Sequence, residues 1–146
     1  MDPNTYFKTF DGREIDGWSA SGGQCTDNVR KFAELCQSVA PNTFEAIAPA
    51  NAVDFLRAMN RAYYAIVFNT PTNAPGEGDI VVAQHVSGVP GEPPGGYGHV
   101  MIARKGCTPH TLLTFDQNWS VRRRCTFEEH PYSAQNWRVL GWGHRR

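Results

Sequence analysis

Cys25, His99, Asp116 and Asn118 are the residues whose types and chain order could carry nucleophilic chemistry. Cys25 stands where Gly22-Gly23-Gln24 gives way to an amphipathic run, so its sulfur is placed at a helix N-terminus. Unpaired N–H groups and the positive end of the macrodipole favour the thiolate at such a position, and the thiolate is the nucleophilic form. His99 opens an apolar strand directly after a glycine-rich loop, where one ring edge can face a cleft. A base needs an orienting partner, and hairpin arithmetic offers one. If strands 99–104 and 111–116 pair around a turn centred between Cys107 and Thr108, His99 falls opposite Asp116. Residues two apart share a face, so Asn118 points to the same side and Gln117 away from it. Nucleophile, base and orienter in this order form the logic of covalent catalysis by a thiol.

The other thiols and imidazoles read differently. Cys36 falls on an apolar helix face and is expected to pack. Cys107 and Cys125 could lie on neighbouring strands, and the sequence leaves open whether they form a disulfide. No C-x-x-C pair exists among the four cysteines, which argues against a zinc ribbon or a disulfide scaffold. His85, His110, His130 and His144 have turn or polar neighbours and read as surface residues. A zinc amidase built on Cys25, His85 and His99 lacks the close ligand pair of common zinc hydrolases.

The elements that must position these residues follow from periodicity. Val29, Phe32, Ala33 and Cys36 repeat at i, i+3, i+4 and i+7, which predicts a helix over about 25–39. Ala52, Phe55, Leu56 and Met59 repeat the spacing and predict a second helix over 51–60, capped by Asn51 and Asp54. Strands are expected at 63–68, from Ile80, from His99, over 112–119, over 121–127 and over 137–142, broken by Pro/Gly-rich loops at 71–78 and 88–98. Helices followed by a run of antiparallel strands make an α+β domain, and 146 residues suit a single one.

Charge narrows the function classes. Fourteen basic residues balance fourteen acidic ones, so no global field would gather nucleic acid or an anionic membrane. Arg122, Arg123 and Arg124 read as the solvated edge of a strand. No stretch reaches the ~18 apolar residues of a membrane span, and residues 1–12 lack the pattern of a signal peptide. A monomer is expected, without membrane insertion.

Gly23-Gln24-Cys25 opening a helix, Gly78-Asp79-Ile80-Val81 on a strand, Gly98-His99-Val100 and Asp116-Gln117-Asn118-Trp119 together resemble the CHAP domain. This is the cysteine, histidine-dependent amidohydrolase/peptidase family of bacteriophage lysins and bacterial cell-wall hydrolases. The resemblance runs from about Gly22 to Trp142, and Gln before the cysteine separates it from the related NlpC/P60 family. It implies a papain-like fold with N-terminal helices on an antiparallel sheet. It also implies a peptidoglycan hydrolase that cuts an amide bond through a thioester, as an endopeptidase or as an N-acetylmuramoyl-L-alanine amidase. Cys25 would be the nucleophile, His99 the base, Asp116 the orienting group and Asn118 an accessory. Gln24 or the Cys25 N–H would donate to the oxyanion, and Asp79 would hold a turn.

Trp18, Tyr97 and Trp119 are groove candidates under the same resemblance. Some phage members bind calcium before the cysteine. Here only Asp16 and Asp27 match, while Trp18, Ala20 and Gly22 stand where further ligands belong, too few for a cage of six to eight oxygens. No cofactor is therefore expected. The implied setting is the host cytoplasm followed by the wall after holin-type release, or a virion. A catalytically silent wall-binding or structural module of the same fold is the rival reading.

Overall fold

The computed structural model describes residues 1–17, 23–40 and 51–146. A helix absent from the sequence expectations opens the chain: α1, Pro3–Phe10. Asp2 caps it by accepting from the Thr5 N–H at 3.0 Å, and Pro3 fills a first-turn position where a missing N–H costs nothing. It buries Tyr6 and Phe7.

Helix α2 spans Cys25–Gln37, close to the predicted 25–39. Its predicted face packs as expected: Val29, Phe32 and Ala33 are fully buried, and Cys36 packs against the same core. Ser38 in the left-handed region ends the helix. The predicted helix over 51–60 is a correction: one 3-10 turn, Ala52–Asp54, leads into a single α turn, α3, Phe55–Ala58. Asn51 caps it through its backbone oxygen, which accepts from the Asp54 N–H, and not through its side chain.

Seven strands follow: β1 Tyr64–Phe68, β2 Ile80–His85, β3 His99–Ala103, β4 Leu112–Gln117, β5 Cys125–His130, β6 Ser133–Ala134 and β7 Trp137–Arg145. All pairings are antiparallel, in the order β1-β7-β2-β3-β4-β5, with β6 attached to β7. The protein is thus a small α+β structure with an antiparallel sheet. The strand expected over 121–127 starts later and runs further. Arg122 to Arg124 lie in the turn before it, with Arg123 at a positive φ, and not on a strand edge.

Alternation splits the sheet into two faces. Ile80, Val82, Val100, Ile102 and Phe115 pack with the helices, in a cluster that includes Tyr6, Phe32 and Phe55. Val81, Ala83, Met101, Ala103, Leu112, Trp137 and Trp142 form a second cluster on the other face. By the same parity His99, Asp116 and His130 belong to that second face. Tyr6 and Asn28 fasten α2 to the sheet: the Tyr6 hydroxyl donates to Asn28 Oδ1 at 3.0 Å and Asn28 Nδ2 donates to the Phe115 carbonyl at 3.3 Å. Among the described residues no helix is long and apolar enough to cross a membrane.

Candidate active site

Cys25 is the first residue of α2, and the start of that helix is tied down from three sides. Gln117, pointing to the helix face of β4, donates to the Gln24 carbonyl at 2.6 Å and to the Ile15 carbonyl at 2.8 Å, and accepts from the Ile15 N–H at 2.6 Å. Asp27 accepts from the Gln24 N–H at 2.9 Å and Glu14 from the Gly23 N–H at 2.9 Å. Gly23 lets these strands of backbone meet, since a Cβ there would lie 2.7 Å from Glu14 Cγ and 3.0 Å from the Ile15 carbonyl.

His99 begins β3 after Gly98, whose φ of +76° suits glycine and whose missing Cβ makes room for Val53. The imidazole is buried, and its Nε2 lies 2.7 Å from Asp116 Oδ2. The expected pairing therefore forms, but not by the expected register. Ile102 pairs with Phe115 and Ala103 with Thr114, so the continuation of the ladder sets His99 opposite Asn118. The hairpin is two residues longer at its tip, where Thr108 bridges Thr111. Asp116 sits one pleat along, on the diagonal of about 7–8 Å that an imidazole spans easily.

Cys25 lines the same cleft as His99, close enough for the two to interact electrostatically. Since Nε2 is spent on Asp116, Nδ1 is the nitrogen left to meet the thiol. Burial pulls the His99 pKa down, but the interactions with Cys25 and Asp116 outweigh it and raise it well above the ordinary imidazole range. Burial pushes the Asp116 carboxyl up, and the hydrogen bonds from His130 and His99 more than reverse this, so it stays below the usual range.

Asn118, expected as an accessory, meets Gln24 and a turn backbone group. It lies at a φ of 60° just past β4, and its Oδ1 accepts from the Arg123 N–H at 2.9 Å. A backbone N–H can only donate, which fixes the amide's orientation and turns Nδ2 toward Gln24 Oε1 at 3.0 Å. Gln24 itself lines the cleft. Asn118 thus holds Gln24 and does not orient His99.

The sequence reading missed His130. It is buried, and its Nε2 lies 2.7 Å from the same Asp116 Oδ2 that meets His99. His130 pairs with Leu112, four residues from Asp116, a separation of about 13 Å along a flat strand. The contact requires β4 and β5 to coil over the face, a property of sheets that strand patterning does not report. His85, also read as a surface residue, lines the cleft, and His144 bonds Asp79 Oδ1 at 2.7 Å. Asp79 keeps its turn role by accepting from the Gly76 N–H at 2.8 Å. His110 is exposed, as expected.

Gln24, Cys25, His85, Ser87, Gly98, His99, Asn118 and Trp119 line an open cleft of about 470 Å³. A larger groove of about 690 Å³, floored by Val139 and Leu140, carries no thiol or imidazole. Trp119 packs on His99 with ring centroids 4.7 Å apart and forms one wall of the cleft. Tyr97 is exposed and bonds the Gly91 carbonyl at 3.1 Å, away from that lining. Trp18, Ala20 and Gly22 lie outside the described residues.

All four cysteines are free, Cys107 and Cys125 included. Burial pushes Cys36 up to about 11 and Cys125 up to about 12, so neither is poised as a nucleophile. Of the calcium candidates, Asp16 is exposed and Asp27 is buried in the helix cap. Among the described residues His99, Asp116 and His130 have donor atoms within 4.8 Å of one another, a spacing a transition metal accepts. Both imidazoles, however, already hydrogen-bond the carboxylate.

No protein-family model matches the chain, and no curated protein matches it. Among solved structures it is similar in fold to the crystal structure of Ly7917, with a TM-score of 0.67 and 18% sequence identity over 99% of this chain. The chain spans 62% of the length of the Ly7917 chain.

Proposed function

We propose that the protein is a cysteine amidohydrolase of the CHAP type with a papain-like arrangement, cutting an amide bond in bacterial peptidoglycan. The observation that carries this reading is the 2.7 Å hydrogen bond between His99 and Asp116, with Cys25 lining the same cleft as His99. In this reading His99 Nδ1 takes the thiol proton, and the sulfur attacks the substrate carbonyl carbon. The oxyanion is met by the Cys25 N–H and the Gln24 amide, which Asn118 steadies. Collapse breaks the C–N bond, and His99 returns the proton to the departing amine. Water, deprotonated by His99, then attacks the thioester carbonyl, frees the acid and restores the thiol. Asp116 keeps the imidazole in the Nε2–H tautomer and stabilises the imidazolium at each stage.

The target bond is an interior or cross-bridge peptide bond, or the muramyl–alanine amide, and the cleft between Trp119 and the 86–98 loop would select it. The site of action is the wall, reached from a host cytoplasm after holin-type release or from a virion. Purified walls incubated with the wild type and with Cys25→Ser, with and without chelator, test the proposal. Lysis by the wild type alone, indifferent to chelator, is expected. Mass spectrometry of the fragments names the bond: new peptide amines mark an endopeptidase, and free muramyl lactate groups mark an amidase. Absence of any new amine or acid terminus on several wall chemotypes would favour the silent-module reading. Loss on chelation with recovery by zinc would instead favour the His99, Asp116 and His130 donors as a metal site.

A further inference from the structure

We propose that His130 is a positioning residue for the candidate site, acting through Asp116 to hold His99 with Nε2–H on the carboxylate and Nδ1 facing Cys25. The inference rests on the reading of Cys25, His99 and Asp116 as a working set. Three observations support it. Both imidazole Nε2 atoms lie 2.7 Å from one oxygen, Asp116 Oδ2, while Oδ1 is buried with no hydrogen-bond partner among the described residues. The carboxylate is therefore held entirely through the atom the two rings share. An ionised carboxylate only accepts, so each ring must present its Nε2–H. All three side chains are at most 4% exposed, so water does not replace a lost donor. The His130 ring is itself immobilised: it stacks on Trp137 at 4.8 Å and 15°, and Trp119 meets its edge at 5.0 Å. Trp137 is pinned in turn by its Nε1–H bond to the Pro131 carbonyl at 2.7 Å.

Without His130, a fully buried carboxylate would keep a single donor. Burial then favours its neutral form, and a neutral carboxyl can donate to His99 Nε2. The proton on His99 would move to Nδ1, removing the lone pair that accepts from Cys25. The titratable groups around Asp116 and its two rings are His99 on β3, His130 and Cys125 on β5, Cys25 on α2 and His85 on β2. Of these, only the two histidines hydrogen-bond Asp116.

The test compares His130→Phe, which keeps the stacking, and His130→Gln, which restores an N–H near the position of Nε2. The readouts are the rate of Cys25 alkylation by iodoacetamide against pH, kcat and KM on wall fragments, and the melting temperature. For His130→Phe the acid limb of alkylation should move to higher pH, and kcat should fall about tenfold or more with KM within twofold. His130→Gln should recover most of both. A folded His130→Phe with the wild-type alkylation profile would reduce His130 to a packing residue and overturn the proposal. If both variants fail to fold, imidazole 15N NMR of the wild type decides. Two Nε2-protonated rings with hydrogen-bonded protons support the assignment, and a His130 ring protonated on Nδ1 alone overturns it. A wild type that cleaves no wall but shows the alkylation and tautomer pattern would defeat the proposed substrate and leave the role of His130 standing.

Discussion

Asp116→Asn separates orientation from mere packing at the site, because it keeps the volume and removes one acceptor. The carboxylate takes two Nε2–H bonds at 2.7 Å on one oxygen in a fully buried position. An amide offers a carbonyl to one ring and an NH2 group to the other, so one imidazole must change tautomer or leave its N–H unmet. A buried unsatisfied donor costs about 1–3 kcal/mol, which for a chain of 146 residues corresponds to a melting shift of roughly 2–12 °C. The chemical loss should be larger. If His99 takes the Nδ1–H tautomer, it no longer accepts the Cys25 proton, and losses of about 10⁴ in kcat accompany such a change in a hydrogen-bonded triad. That factor is about 5.5 kcal/mol of transition-state stabilisation, against about 1–3 kcal/mol of folding stability. The assay pairs release of soluble wall fragments with thermal melting and iodoacetamide labelling of Cys25. A variant that melts within a few degrees of the wild type and turns over within tenfold of it would refute the assignment of Asp116 as orienter.

Further outcomes follow from the same geometry. Cys25→Ser should remove lysis with the melting temperature nearly kept, whereas Cys36→Ser should retain lysis and lose about 1–3 kcal/mol in denaturant unfolding, because its sulfur packs on the core. Asn118→Ala frees Gln24 without touching the 2.7 Å His99–Asp116 bond, so kcat should fall about 10- to 1000-fold while the pH dependence of Cys25 labelling stays unchanged. A shifted labelling profile would return Asn118 to His99. Stability should vary with pH at both ends, as read by unfolding in urea. Asp116 has a lowered pKa, so its contribution is complete above the unfolded value of about 3.9 and fades as pH falls toward about 2. His99 has a raised one, so its contribution is complete below about 6.5 and fades as pH rises toward about 10. A flat urea midpoint between pH 6.5 and 10 would contradict the His99 assignment.

Local patterning reported what is local. The i, i+3, i+4, i+7 face of Val29, Phe32, Ala33 and Cys36 was enough to place α2 and, with it, Cys25. The β-branched runs after Gly78 and Gly98 gave β2 and β3. An N-terminal signal was present and unused: Asp2 followed by Pro3 is a cap and a first-turn proline, and α1 follows it. The 51–60 segment had helical periodicity, but only one 3-10 turn and one α turn formed, with Val53 packed against Gly98 and its N–H bonded to the Tyr97 carbonyl. Tertiary contact overrode the local pattern there. His130 lay beyond reach for another reason: its partner is four residues out of register, and only the coil of the sheet brings them together.

The alternation of a single strand end accounts for most of the site. Asp116, Gln117 and Asn118 are consecutive, and each serves a different partner because the side-chain period of a strand is two. Asp116 faces the second layer and takes His99 and His130. Gln117 faces the helices and holds the Gln24 carbonyl, one peptide before the nucleophile. Asn118, where the backbone turns to a φ of 60°, reaches the Gln24 side chain. Cys25 and His99 stand 74 positions apart in sequence, yet both are tied to three neighbouring side chains on β4 and its exit. A displacement of that strand end would therefore move the partner of His99, the anchor of the helix start and the partner of the Gln24 side chain together. A one-residue slip of β4 would take Asp116 from the face of His99, putting Gln117 there in one direction and Phe115 in the other. In either direction the carboxylate leaves His99 and Gln117 leaves the Gln24 carbonyl, and this binds the register of β4 as tightly to the site as to the packing of the core.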